Sequence, residues 1–280
     1  MAGSKACSEW AQAAKGINAK SEQPCDLASA RGVNHTGGRM NSYSQFGEDL
    51  LLWKYFGERR QGFFLEAGAN HPTLRSQTWL FEQNGWTGIL VEPLAANCAL
   101  LRRERPHSRV FQLALGSPEQ CGRARFSVAA GSDAYSGLVL QDGVAQERTE
   151  EVEIRTLDQV LAEAANPKLD FVSLDVEGAE LDVLNGFDLP RHQPGVLLVE
   201  DHLQRLGLHR WIVGRGYRLV KRTGCNSWYV PGGAPFSLNT AGERFQLWKE
   251  IQIDTPVRIA RFFFKRRSAR RRQTPIASSS

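Results

Sequence analysis

The chain lacks any apolar run long enough to cross a bilayer. Its longest, such as Phe171 to Val176 and Gly195 to Val199, stop after a few residues, where a spanning helix needs about 20. It also lacks the dinucleotide fingerprint G-x-G-x-x-G, because Gly68 is followed by Ala69-Asn70-His71-Pro72; a pyrophosphate-bearing cofactor is therefore disfavoured. Met1 to Arg39 is small and polar, without the apolar core and cleavage site of a secretory leader, and reads as a lead-in with no packed core. Cysteine is scarce. Cys7, Cys25, Cys98, Cys121 and Cys225 are odd in number and no two are spaced as a metal pair, so reduced thiols in a cytoplasm fit better than a disulfide framework or zinc.

What is present is ordinary globular protein: 280 residues, 41% hydrophobic and 23% charged, enough for one sizeable core with appendages. We expect an extension over residues 1–42, a domain over 43–232 and a helix with a basic tail over 233–280. The net charge of +5 is unevenly placed, because eight basic residues from Arg258 to Arg272 have no acid between them; without them the rest stands at −3.

Along the chain, Ser44 to Phe56 has near-helical apolar spacing with Ser44 as a cap. Then come a strand Phe63 to Glu66, a helix Arg75 to Gln83 stopped by Gly85, a strand Gly88 to Pro93, a helix Ala95 to Arg103 and a strand Arg109 to Leu115. This β-α-β-α-β order is half of a doubly wound sheet. Gly122 to Arg155 breaks the alternation and reads as an insertion with short strands Arg125 to Val128 and Val152 to Arg155. Order resumes with a helix Thr156 to Ala165, a strand Phe171 to Asp175, a helix Glu180 to Asn185, a strand Val196 to Glu200 and a helix Leu203 to Val213. Strands Tyr217 to Val220 and Ser227 to Val230 form a closing hairpin at the sheet edge, and a helix Glu243 to Ile251 precedes the tail. The fold class is thus α/β, a mostly parallel doubly wound sheet with an antiparallel closing strand.

The chemistry concentrates where two apolar strands end in small and acidic residues, Phe63-Phe64-Leu65-Glu66-Ala67-Gly68-Ala69-Asn70 and Ser173-Leu174-Asp175-Val176-Glu177-Gly178. Open α/β sheets bind ligands at the C-terminal edge of their strands. Gly68 suits a turn where backbone approaches a cofactor, Glu66 and Asn70 flank it with polar groups, and Glu92 ends the next strand where an acid can accept both hydrogen bonds of a ribose diol. Asp175 and Glu177, two apart, share a side if the strand continues. Their proximity suits a general base, a divalent metal or a cationic donor; the plainer role for Glu177 is to cap the helix at Glu180. Glu200-Asp201-His202 ends a further strand, and His202 has the proton affinity of a base for a hydroxyl. His71, near the first turn, reads as pocket wall. A cofactor-dependent group-transfer enzyme follows.

From about Tyr43 to Gly232 the chain resembles the FkbM family of S-adenosylmethionine-dependent O-methyltransferases. The resemblance rests on Ser44-Gln45-Phe46-Gly47-Glu48-Asp49, Gly68-Ala69-Asn70, Gly85-Trp86-x-Gly88 leading into Val91-Glu92-Pro93, Thr156-Leu157-Asp158 and Asp175-Val176-Glu177-Gly178-Ala179-Glu180. His71-Pro72 and Ser76-Gln77-Thr78 depart from the usual Asp-Gly and Ser-Asn-Thr. The resemblance implies a Rossmann-like class I methyltransferase in which Glu66, Gly68, Asn70 and Glu92 hold S-adenosylmethionine, Ala114 and Leu115 line the adenine, and Asp175 faces the reacting centre. It further implies methyl transfer to a hydroxyl of a sugar, glycan or glycosylated natural product, with a base among Asp175, Glu177 and His202 or a divalent metal held by these carboxylates.

Two other classes compete: a nicotinamide-dependent oxidoreductase, disfavoured by the missing fingerprint, and a noncatalytic binding module on the same fold. Nucleic acid is disfavoured as the acceptor because no Asp-Pro-Pro-Tyr-like motif of amino-methylating enzymes occurs. The tail interleaves arginines with Phe262-Phe263-Phe264, a composition suited to an anionic membrane surface, which would make the protein cytoplasmic and peripheral at the inner membrane. The Gly131 to Gly143 loop is the expected place for acceptor specificity.

Overall fold

The computed structural model describes residues 40–130, 136–138, 145–201 and 206–261. His202, most of the Gly131 to Gly143 loop, the N-terminal extension and the basic tail beyond Arg261 lie outside the described residues.

The elements run in the order α1 (Glu48–Tyr55), β1 (Phe63–Ala67), α2 (Trp79–Gln83), β2 (Thr87–Glu92), α3 (Ala95–Glu104), β3 (Ser108–Gln112), β4 (Ala114–Leu115), β5 (Gly122–Ala129), β6 (Gln146–Arg155) and α4 (Leu157–Glu163). They continue with β7 (Phe171–Leu174), α5 (Glu180–Asn185), α6 (Leu189–His192), β8 (Val196–Glu200), α7 (Leu206–Val213), β9 (Tyr217–Thr223), β10 (Asn226–Pro231) and α8 (Ala241–Lys249). The main sheet has seven strands in the order β3-β2-β1-β7-β8-β10-β9, and β4-β6-β5 form a small second sheet. In the main sheet β10 alone runs antiparallel, inserted between β8 and the edge strand β9. The expected closing hairpin is present, with its second strand inside the sheet.

The central strands are apolar on both faces because helices cover both. Leu65, Ile89, Val172 and Leu197 pack with α4, α5 and α7 on one side. Their strand neighbours Phe64, Leu90, Phe171 and Leu198 pack with Leu52 and Trp53 of α1, Phe81 of α2 and Leu101 of α3 on the other. The period-2 alternation of side chains thus feeds two cores at once, which is why these strands read as continuous apolar runs.

Three expectations are corrected. The helix expected from Arg75 begins only at Trp79, because the preceding N–H groups bond to side chains. Gln77 N donates to the Glu66 carboxylate at 2.9 Å, Thr73 and Leu74 N donate to His71 Nδ1 at 3.2 and 3.1 Å, and Arg75 sits at φ 60°. The strand expected from Arg109 to Leu115 breaks at Leu113: Ala114 and Leu115 leave the main sheet and pair with Ile154 and Arg155 of β6. Ser44 is not the N-cap position of α1, which is Gly47 at φ 81°, but its hydroxyl reaches the first turn, donating to Asp49 Oδ1 at 2.8 Å and accepting from Asp49 N at 3.3 Å. The helix after the insertion begins as expected, with Thr156 and Gln159 exchanging side-chain and backbone bonds in a capping box.

Candidate active site

From β1 the chain winds through β2 to β3 in one direction, and from β7 through β8 in the other, so the direction of winding reverses between β1 and β7. Crevices at such a reversal, outside the strands' C-terminal ends, are where ligands bind in open α/β sheets. Here the register pairs Ala67 with Leu174, which sets Gly68 and Asp175 abreast as the next residues of each strand. Asp175 N donates to Ala67 O at 3.1 Å. Gly68 has φ +80°, and a β-carbon there would lie 1.7 Å from the Asp175 carbonyl oxygen. Glycine is therefore required at this position by the backbone contact itself.

Asp175 and Glu177 do not share a strand face, because β7 ends at Leu174 and Glu177 adopts φ 55° in the following loop. They converge all the same, and Glu200 joins them: one oxygen from each of Asp175, Glu177 and Glu200 lies within 4.8 Å of the others. Glu200 is the residue that sequence reasoning passed over in favour of His202. The signal was present, since Glu200 closes the strand next to β7, in register one residue beyond the Leu174–Val199 pair. Burial lifts the Asp175 carboxyl well above the usual carboxylate range, and the charges of Glu200, Glu177 and Glu180 add to this, as does a hydrogen bond with Glu200. Each of these neighbours disfavours the charged form of Asp175. The Cys225 thiol is pushed up to about 12, by burial and then by Glu200 and Asp175.

Glu180, buried at the start of α5, accepts from Val176 N at 3.1 Å and Gly178 N at 3.0 Å. The helix-capping role considered for Glu177 is not seen, since the N-cap of α5 is Ala179 with no side-chain cap bond; Glu180 instead ties the preceding loop, and burial raises its carboxyl to about 7.

Glu66 is not a member of this cluster. On the Phe64 face of β1 its carboxylate accepts from Ser76 Oγ at 3.2 Å, Gln77 N and the Thr78 hydroxyl, and Arg105 Nη1 lies 4.0 Å away. Arg105 is wholly buried, donates to Glu82 Oε2 at 2.6 Å and to Pro72 O at 3.0 Å, and lies over the rings of Phe64 and Trp79. The departing triplet Ser76-Gln77-Thr78 therefore ties the loop after β1 to the strand itself. Glu92, at the end of β2, accepts from Asn70 N at 3.0 Å and Leu94 N at 2.9 Å, holding Asn70 at φ 43°. Glu92 and Asn70 are thus brought together beside the Gly68 turn. His71 holds its own loop through Nδ1. Ala114 packs with Leu94 and Phe126, whereas the side chain of Leu115 enters the main core.

No curated protein sequence matches the chain. Among solved structures it is similar to a precorrin-6y C5,15-methyltransferase from Geobacter metallireducens, at 8% identity and a TM-score of 0.38, covering 65% of this chain and 85% of that one. It is also similar to a methyltransferase from Geobacter sulfurreducens, at 12% identity and a TM-score of 0.37, covering 66% and 78%. The model of the methyltransferase FkbM domain matches residues 66–219, from the glutamate of β1 into β9. With more than half its length matched, the chain belongs to the FkbM family of methyltransferases, and membership implies S-adenosylmethionine as the methyl donor.

Proposed function

We propose that the protein methylates a hydroxyl oxygen of a sugar, glycan or glycosylated natural product. One observation carries this reading: the convergence of Asp175, Glu177 and Glu200 at the winding reversal, where an oxygen nucleophile would need a proton acceptor.

The residues suit the donor. A carboxylate cluster complements a sulfonium and an α-ammonium group, and Glu92 beside Asn70 offers acceptor oxygens to a ribose diol. S-adenosylmethionine supplies a methyl group on a positively charged sulfur, which leaves as a neutral thioether. The protein's part is to align an acceptor oxygen, exclude water and remove the hydroxyl proton. Asp175, whose proton affinity is raised by burial and by Glu200, is poised as that acceptor: the proton moves from the acceptor hydroxyl to a carboxylate oxygen as the new carbon–oxygen bond forms. His202 stays in the proposal as an alternative base. Ala114 and Leu115 would contribute to the adenine site, Leu115 through its backbone.

A divalent cation on the same three carboxylates is a second reading, favoured by their separation of at most 4.8 Å; it would lower the acceptor's pKa in place of a base. Incubating the full chain with S-adenosylmethionine and a glycoside panel, with and without chelator, tests both. Methyl ethers by mass spectrometry and NMR are expected, with Glu200→Gln and Asp175→Asn each lowering kcat by roughly 10²–10⁴-fold. Methylation only at nitrogen or carbon, or both variants at wild-type rate, would remove the oxygen-transfer reading.

A further inference from the structure

The C-terminal helix carries a surface that the methyl-transfer site does not use. α8 passes into a wider π-helical turn over Glu250–Asp254, and helix continues over residues 255–261. One side of this rod faces β9, with Thr255 fully buried and Leu247, Ile251 and Ile259 partly covered. The opposite side exposes Phe245 (62%), Trp248 (53%), Ile253 (43%) and Val257 (42%) to solvent. The step of five from Trp248 to Ile253 would rotate off the row in a regular α-helix, and the wider turn keeps it on the same side. Phe245 and Trp248 are stacked at 5.9 Å, so the row opens on an aromatic pair.

Charge is sorted along the same rod. Glu243 turns inward to Lys221 at 2.7 Å and Glu250 to Arg222 at 3.6 Å, while Asp254 lies 3.8 Å from Lys249. No acidic residue follows Asp254, and eight basic residues do, beginning with Arg258 and Arg261 on the helix itself. An apolar row with aromatics, flanked by cations and with two of its three acids, Glu243 and Glu250, paired to the protein, is the pattern of a helix lying in a lipid interface.

We propose that the outer face of this helix, with the basic segment that follows it, docks on an anionic lipid bilayer. A nucleic acid would use the cations and could stack on Phe245 and Trp248, but Ile253 and Val257 offer it nothing. A second copy of the chain would bring two like-charged segments together. Lipid satisfies both halves of the surface: the row enters the headgroup boundary while the cations meet phosphate.

The test is co-sedimentation of the full chain with vesicles of phosphatidylcholine alone or mixed with phosphatidylglycerol, at physiological ionic strength. Binding is expected on the anionic vesicles only. Phe245→Ser with Trp248→Ser is expected to weaken it at least tenfold with unchanged melting, and Ile253→Ser with Val257→Ser gives an independent check on the row. Reversing Arg270, Arg271 and Arg272 to Glu should weaken binding roughly a hundredfold, about fivefold for each cation removed. Equal binding to neutral vesicles, no vesicle binding, or retention by both apolar double variants would overturn the proposal. So would salt-sensitive binding of single-stranded RNA without vesicle binding, or a dimer in solution that either apolar variant dissolves.

Discussion

Replacing Gly68 by alanine tests the contact on which the site is built. Two separate costs arise. The first is conformational: a β-carbon at φ +80° costs about 1–2 kcal/mol for an L-residue. The second is steric, because the new carbon would lie 1.7 Å from the Asp175 carbonyl oxygen, so β1 or the loop after β7 must move at about 1–3 kcal/mol. Gly178→Ala separates the two, since Gly178 has φ +97° with nothing within 4 Å of an added β-carbon. Urea unfolding of both variants should therefore show Gly178→Ala down by about 1–2 kcal/mol and Gly68→Ala down by about 2–5 kcal/mol. The larger loss is a substantial share of a domain stability of about 5–15 kcal/mol. Equal losses in the two variants would refute the reasoning, because they would mean that the Gly68–Asp175 approach is not held in solution.

Arg105→Met should cost about 3–5 kcal/mol in denaturant unfolding by leaving Glu66 and Glu82 buried without their cation, and neutralising both glutamates to Gln in the same chain should recover most of it. Glu180 gives a pH signature: its folded carboxyl is raised from 4.5 to about 7, so the folded state holds the proton more tightly than the unfolded one. Its contribution, about 3 kcal/mol, is fully present below pH 4.5 and lost as pH rises through about 7. Glu180→Gln, which can still accept from Val176 and Gly178, should flatten the stability profile in that window; a wild-type slope in the variant would count against the assignment.

The strands of the site were legible for a physical reason. β1, β2, β7 and β8 are covered on both faces, so they read as apolar runs, and Glu66, Glu92, Asp175 and Glu200 stand out because each interrupts or follows one. What was hidden is how far side chains reach. The Glu66 carboxylate and the His71 ring take N–H groups of the loop before Trp79, and Arg105, beside Glu66, lies 39 positions after it, with no local pattern to announce it. The break at Leu113 was hidden because Phe111, Leu113, Ala114 and Leu115 on both sides of it are all buried, β4 merely changing sheet. Glu177 was placed in the right company by the wrong route: a left-handed turn, not strand alternation, delivers it to Asp175.

The two acidic groups at the sheet's ligand edge differ in what balances them, and this bears on donor binding. Glu66 and Glu82 share a buried Arg105, whereas the Asp175 carboxyl is pushed well above the usual carboxylate range by burial and then by its carboxylate neighbours. A ligand with a sulfonium charge beside Asp175 favours the ionised form, so binding should expel a proton from the Asp175–Glu200 pair. By linkage, donor affinity should rise with pH up to the raised pKa of Asp175 and level off above it. Calorimetry in two buffers of different ionisation enthalpy measures the proton count directly. S-adenosylhomocysteine, the neutral thioether product, is the control: it keeps the ribose and ammonium contacts and should expel fewer protons. Identical proton release by donor and product, or none by either, would mean that the sulfonium does not sit against Asp175, and the carboxylate cluster would lose its place in the chemistry.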